Sequence, residues 1–198
     1  MVTIYTVKQH GNAEIVEKRS KFIADVYPVD TQKEATDIIN KTKKDMVGAK
    51  HVVYAYVIEG ESLYTKYSDD GEPQGTAGVP ILNLLEKMEL RNVVVVVTRY
   101  FGGILLGTGG LVRAYTDAAK LGIKEAERIE VIKKTKITLE IPYEMKDKIS
   151  FYIKKQEYEE KEVYYSEKIK MSVNVPDTDV DKFTKDVSEL TEGNVKFF

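Results

Sequence analysis

The chain has no cysteine, no tryptophan, two histidines and five prolines in 198 residues. The missing cysteine excludes disulfide scaffolds, thiolate-bound zinc, iron–sulfur clusters and thiol catalysis, and His10 and His51 alone cannot make a histidine-rich metal centre. The longest aliphatic run, Val93 to Val97, is far too short to span a bilayer, and the opening MVTIYTVKQHGN lacks the basic-then-apolar pattern of a secretion signal. A cytoplasmic protein with no membrane partner is expected. Charge of one sign is missing too: 30 Lys and Arg stand against 32 Asp and Glu, and neither the first 130 residues nor the rest departs from that balance. A nucleic-acid binder that works by diffuse electrostatics carries a basic excess, so any anion site here must be local. What is present, 42% hydrophobic and 31% charged residues, is enough to bury a core.

Periodicity divides the chain near residue 130, inside the charged connector Lys124 to Lys134. Short Val-, Ile- and Tyr-rich runs at Thr3 to Lys8, Ala13 to Glu17 and Phe22 to Tyr27 read as strands that pair with their neighbours. Thr31-Gln-Lys-Glu34 is a capping box that opens a helix over 32–44. His51 to Ile58 and Ser62 to Tyr67 read as a hairpin, and Pro80 begins a helix carrying Ile81, Leu84, Leu85 and Met88 on one stripe. Val93 to Thr98 is apolar on both faces, as in a central strand, and Leu111 to Glu127 reads as a long, largely buried helix. After residue 131 the order is β-α-β-β-α-β, that of a ferredoxin-like domain. The fold expected is therefore α+β in two domains, 1–130 and 131–198.

Chemistry concentrates in two segments. In TRYFGGILLGTGGLVRAYTDAA, Thr98 to Ala119, a buried strand ends in a glycine-rich turn that enters the long helix. Glycine permits positive φ and close approach, and the first amides of a helix have no internal acceptor and lie at the positive end of its dipole. Gly107, Thr108 as N-cap, Gly109 and Gly110, helped by Arg99 and Arg113, therefore form a candidate anion site. The other reading of these glycines is close packing of helix on sheet. Neither the dinucleotide fingerprint nor the P-loop fits, since Val112 and Thr108 stand where glycine and lysine are needed. Tyr100 is a candidate for stacking on a base, whereas Phe101 reads as core.

The second segment is SDDGEPQGTAG, Ser68 to Gly78. Asp69, Asp70 and Glu72 could serve as base or magnesium ligands, but Asp-Asp-Gly is also ordinary turn chemistry, and Asp69 or Asp70 could simply pair with Arg99 or Arg113. Amides of Gly75 to Gly78 form a second free set at a helix start. His51, without a Ser or Cys nucleophile in a matching motif, reads as structural. No cofactor is called for.

SKFIADVYPV (20–29), SDDGEPQGTAGVPIL (68–82) and VVVVTRYFGGILLGTGGLVRAYTDAA (94–119) resemble the signature of the YigZ/IMPACT family. The resemblance covers nearly all of residues 1–130, and the remainder is similar to the second domain of bacterial members. It implies a first domain with the fold shared by a small-subunit ribosomal protein, the fourth domain of elongation factor G and kinases of the galactokinase type. It likewise implies a second domain like the last domain of that factor. Eukaryotic members look like translational regulators that act, through an additional N-terminal module, on the kinase sensing amino-acid starvation. The function expected is a translation-associated binding module for RNA, the ribosome, a protein or another anionic partner. The alternative is a magnesium-dependent enzyme on a phosphorylated or acidic small molecule. Oligomeric state is left open.

Overall fold

A computed structural model describes residues 4–60 and 62–198 and divides into two compact units, one ending at Val131 and one spanning Ile132–Phe198. It is mixed α and β throughout, as the periodicity implies. No helix among the described residues is long and apolar enough to cross a membrane.

The first unit is built on a five-stranded sheet of β2 (Gly11–Glu17), β3 (Ser20–Pro28), β4 (His51–Ile58), β5 (Tyr64–Ser68) and β6 (Val93–Tyr100), in the order β2-β3-β6-β4-β5 with every pairing antiparallel. β6 lies in the centre, and alternation sends its side chains to two cores. Val93, Val95 and Val97 join Phe22, Ala24 and Val26 beneath α2 (Gly78–Lys87) and α3 (Thr108–Glu125). Val94 and Val96 face α1 (Gln32–Asp45) with Ala35, Ile39 and Tyr56. Helices on both faces explain why this strand has no polar side. One arm of the capping box forms and the other is displaced by a residue: Thr31 Oγ1 accepts from the Glu34 amide at 3.2 Å, whereas the Glu34 carboxylate accepts at 2.8 Å from the amide of Asp30, the residue before the N-cap Thr31.

The chain start departs from expectation. β1 (Tyr5–Val7) pairs antiparallel not with its neighbour but with β7 (Arg128–Glu130), in the segment read as a connector. Glu127 at φ 57° turns the chain out of α3, and the Arg128 guanidinium sits 3.4 Å from the Tyr5 ring centroid. Thr3, included in the expected strand, lies outside the described residues.

The second unit runs β8 (Lys134–Ile141), α4 (Lys146–Lys155), β9 (Glu159–Tyr165), β10 (Ile169–Pro176), α5 (Val180–Leu190) and β11 (Lys196–Phe197). Its sheet order, β11-β8-β10-β9 with all pairs antiparallel, is the ferredoxin-like arrangement. Ile137, Leu139, Met171 and Val173 pack against Ile149, Ile153, Phe183 and Val187, the apolar stripes of the two helices.

Candidate functional site

The loop between β5 and α2 uses its three carboxylates in three separate ways. Asp69 accepts from the amides of Gly75, Ala77 and Gly78 at 2.9, 3.1 and 2.8 Å, so the amides expected to be free at the start of α2 are occupied from within. Asp70, at φ 44°, accepts from Lys43 Nζ at 2.6 Å and from the Val52 amide at 2.7 Å. Burial pushes the Asp70 carboxyl up, but those two hydrogen bonds and the charges of Lys43 and His51 outweigh it and leave it below the usual carboxylate value. Glu72 is buried, and its Oε1 accepts from Arg99 Nη1 at 2.6 Å and from the Tyr115 hydroxyl at 2.7 Å. The ion pair expected of Asp69 or Asp70 is thus made by Glu72, because the two aspartates are already turned toward α2 and α1. Among the described residues, no three His, Asp or Glu side chains are grouped to hold a metal ion.

Arg99 and Tyr100, adjacent on β6, point to opposite faces of the sheet. Arg99 follows Val97 toward α3; it is 5% exposed, stands across from Phe22 in the register, and has its guanidinium 5.4 Å from the ring centroids of Phe22 and Phe101. Its Nη2 lies 3.4 Å from Ser20 Oγ, while the buried Nε has no hydrogen-bond partner. Tyr100 instead reaches the end of α1, its hydroxyl 3.5 Å from the Val47 carbonyl. A base stacked on Tyr100 would therefore lie on the face opposite Arg99. Phe101, expected in the core, is 44% exposed because the chain leaves the sheet there.

α3 begins at Thr108, three residues before the Leu111 read from the sequence, and its cap lies one residue before the one expected. Gly107 at φ 73° is the N-cap in place of Thr108, and no side chain caps the helix. The first turn closes with the Leu111 amide on the Gly107 carbonyl at 2.9 Å, leaving the amides of Thr108, Gly109 and Gly110 without an intrahelical acceptor. Two clefts flank this start, with Leu106 in the wall of both. One, of about 400 Å³, is lined by Lys50, His51, Glu72, Arg99, Phe101, Leu105, Gly107 and Thr108, among others. The other, of about 360 Å³, is lined by Lys18, Gly110, Arg113 and Asp117, among others. Of the six residues proposed for anion binding, Arg99, Gly107 and Thr108 meet at the first cleft, Gly110 and Arg113 belong to the second, and exposed Gly109 lines neither.

Glu72, in the wall of the first cleft, is held by a residue that sequence reasoning passed over. Tyr115 lies on the buried stripe of α3 with Leu111, Ala118 and Ala119, and a buried tyrosine needs a partner for its hydroxyl, which is the signal that could have found it. Burial and the hydrogen bond to Glu72 push its phenol far above the ordinary value, so it remains a donor. His51 opens β4, and its Nε2 is 3.8 Å from Glu72 Oε1.

The Impact N-terminal domain family matches residues 18–123, and a domain of unknown function, DUF1949, matches 139–194. The YvyE member of this family from Bacillus subtilis is 39% identical over 189 residues, 96% of this chain and 87% of that protein. The chain belongs to the IMPACT family. YigZ of Escherichia coli is 29% identical over 90% of this chain and 89% of that protein. Human Protein IMPACT is 40% identical over 103 residues, half of this chain and 31% of that protein. A crystal structure of a hypothetical protein, 26% identical, aligns over 100% of this chain and 97% of that one with a TM-score of 0.69. His51, Glu72 and Arg99, which line the first cleft, all fall inside the segment matched by the Impact N-terminal domain.

Proposed function

We propose that this IMPACT-family chain is a translation-associated binding module that engages RNA or the ribosome through an anionic group held in the cleft at the start of α3. The observation that carries it is an uncapped helix start opening into a cleft of about 400 Å³ beside a buried arginine whose Nε has no partner. The Glu72 carboxylate offsets the Arg99 charge, so the attraction comes from the Thr108 amide, at the positive end of α3, and from Lys50 at close range, as a chain with no basic excess requires. The translational role is what the family resemblance implies. Exposed Phe101 and Leu105 add an apolar wall suited to a base.

Thr108→Asp tests it. An acidic residue in the first turn favours the helix, so the variant should fold at least as stably as wild type, while its carboxylate occupies the amides and repels a phosphate. Retention on ribosomes or RNA at low salt should fall at least tenfold in the variant. Equal retention of the two proteins, or none by either, would remove the proposal.

A further inference from the structure

Three consecutive residues of the β5–α2 loop are arranged around the His51 ring. The Asp70 carbonyl is 2.8 Å from Nδ1, a Cβ on Gly71 would stand 3.5 Å from the same atom, and Glu72 Oε1 lies 3.8 Å from Nε2. A carbonyl oxygen only accepts, so Nδ1 carries the proton, and in the neutral ring Nε2 is left as an acceptor. Asp70 is held at positive φ by Lys43 and the Val52 amide, which fixes that carbonyl and hence the tautomer. Glu72 Oε1, 3.8 Å from Nε2, is beyond hydrogen-bond reach. His51, with its side chain 12% exposed, therefore presents an unused acceptor to the cleft that also receives the start of α3.

We infer that this cleft recognises a ribose phosphate, with the phosphate on the Thr108 amide at the start of α3 and on Lys50, the neighbouring 2′-hydroxyl donating to His51 Nε2, and the base against Phe101 and Leu105. This rests on the proposal that the cleft receives RNA and adds how it would tell RNA from DNA. A donor set for an anion and a single neutral acceptor share one cleft, and a 3′-phosphate with its vicinal hydroxyl offers the complement of both. A deoxyribose phosphate satisfies the anion donors alone and leaves Nε2 unpaired.

The experiment is fluorescence anisotropy with the full chain and labelled ribo- and deoxyribo-oligonucleotides of one sequence at fixed salt. Wild type should bind the ribo form about fivefold more tightly, the scale of one net hydrogen bond to a neutral group. His51→Ala should bring the ratio to about one with deoxyribo binding unchanged. His51→Gln, which keeps an amide donor for the Asp70 carbonyl and an acceptor for the hydroxyl, should restore part of it; circular dichroism checks that both fold. Competition by a ribonucleoside 3′-monophosphate as strong as that by the oligonucleotide would assign the same chemistry to a free nucleotide. Competition by the oligonucleotide alone would assign it to a strand. A ratio near one in wild type, or a wild-type ratio kept by both variants, overturns the inference while leaving the cleft as an anion site. No binding of either nucleic acid, with Thr108→Asp equal to wild type, overturns both.

Discussion

Two glycine-bearing loops feed helices on the same face of the five-stranded sheet, and they end differently. In the loop Ser68 to Gly78, the Asp69 carboxylate takes three amides, including the first of α2, and closes that helix start from within. The loop Phe101 to Gly110 has no acidic residue to do this: none occurs between Glu89 and Asp117, and α3 starts without a side-chain cap. Glycine next to a helix start is therefore insufficient to mark a ligand site. Whether the chain supplies its own anion decides which amides stay available.

The largest test of that contrast is Glu72, which ties the first loop to β6 and α3, the elements on either side of the second. Glu72→Ala leaves the Arg99 guanidinium buried and unpaired, which should cost about 4 kcal/mol in urea denaturation. A loss below about 1 kcal/mol would mean that Arg99 finds water or another acceptor and that the two loops are independent. Asp69→Ala comes next: releasing three amides from a carboxylate should cost about 3 kcal/mol and speed hydrogen exchange of Gly75, Ala77 and Gly78, with the α3 start unaffected. If those amides stay protected, the closure of α2 is not the work of Asp69. The smallest effect concerns Asp70. Its folded carboxyl lies below the usual value, so its contribution is complete above the unfolded carboxylate range and is lost as pH falls through the folded value. With Lys43 39% exposed, the contribution should stay under about 1 kcal/mol. The stability gap between wild type and Asp70→Asn should shrink on acidification below about pH 4, and a gap that widens would contradict the sign.

Both helix-bearing layers were legible in the order of residues because their apolar spacing is local: Ala35 and Ile39 on α1, Ile81 and Leu85 on α2, and Phe183 and Val187 on α5 each mark a face within a few turns. β1 was not, since the choice between β2 and β7 as partner depends on residues more than a hundred positions away. In the site, the glycine-rich helix start was visible, but the division between two clefts was not. Arg99, Tyr100 and Arg113 look adjacent in a motif, yet strand alternation sends Tyr100 to the far face, and Leu106 stands between the clefts that hold the two arginines. Phe101 looked like core because aromatic residues usually are, and its 44% exposure follows from where the sheet ends.

By itself, the sequence determined the α+β architecture, most of the order of elements and the glycine-rich entry to α3, because these follow from backbone preferences and short-range spacing; that no side chain caps this entry, and that β7 lies in the connector, it did not. Only tertiary structure decided that Glu72 rather than Asp69 or Asp70 neutralises Arg99, that Tyr115 donates to the same oxygen, and that His51 keeps Nε2 unused at the cleft. Those outcomes depend on which side chains meet across strands and helices far apart in the chain, and burial makes each pairing obligatory once they meet.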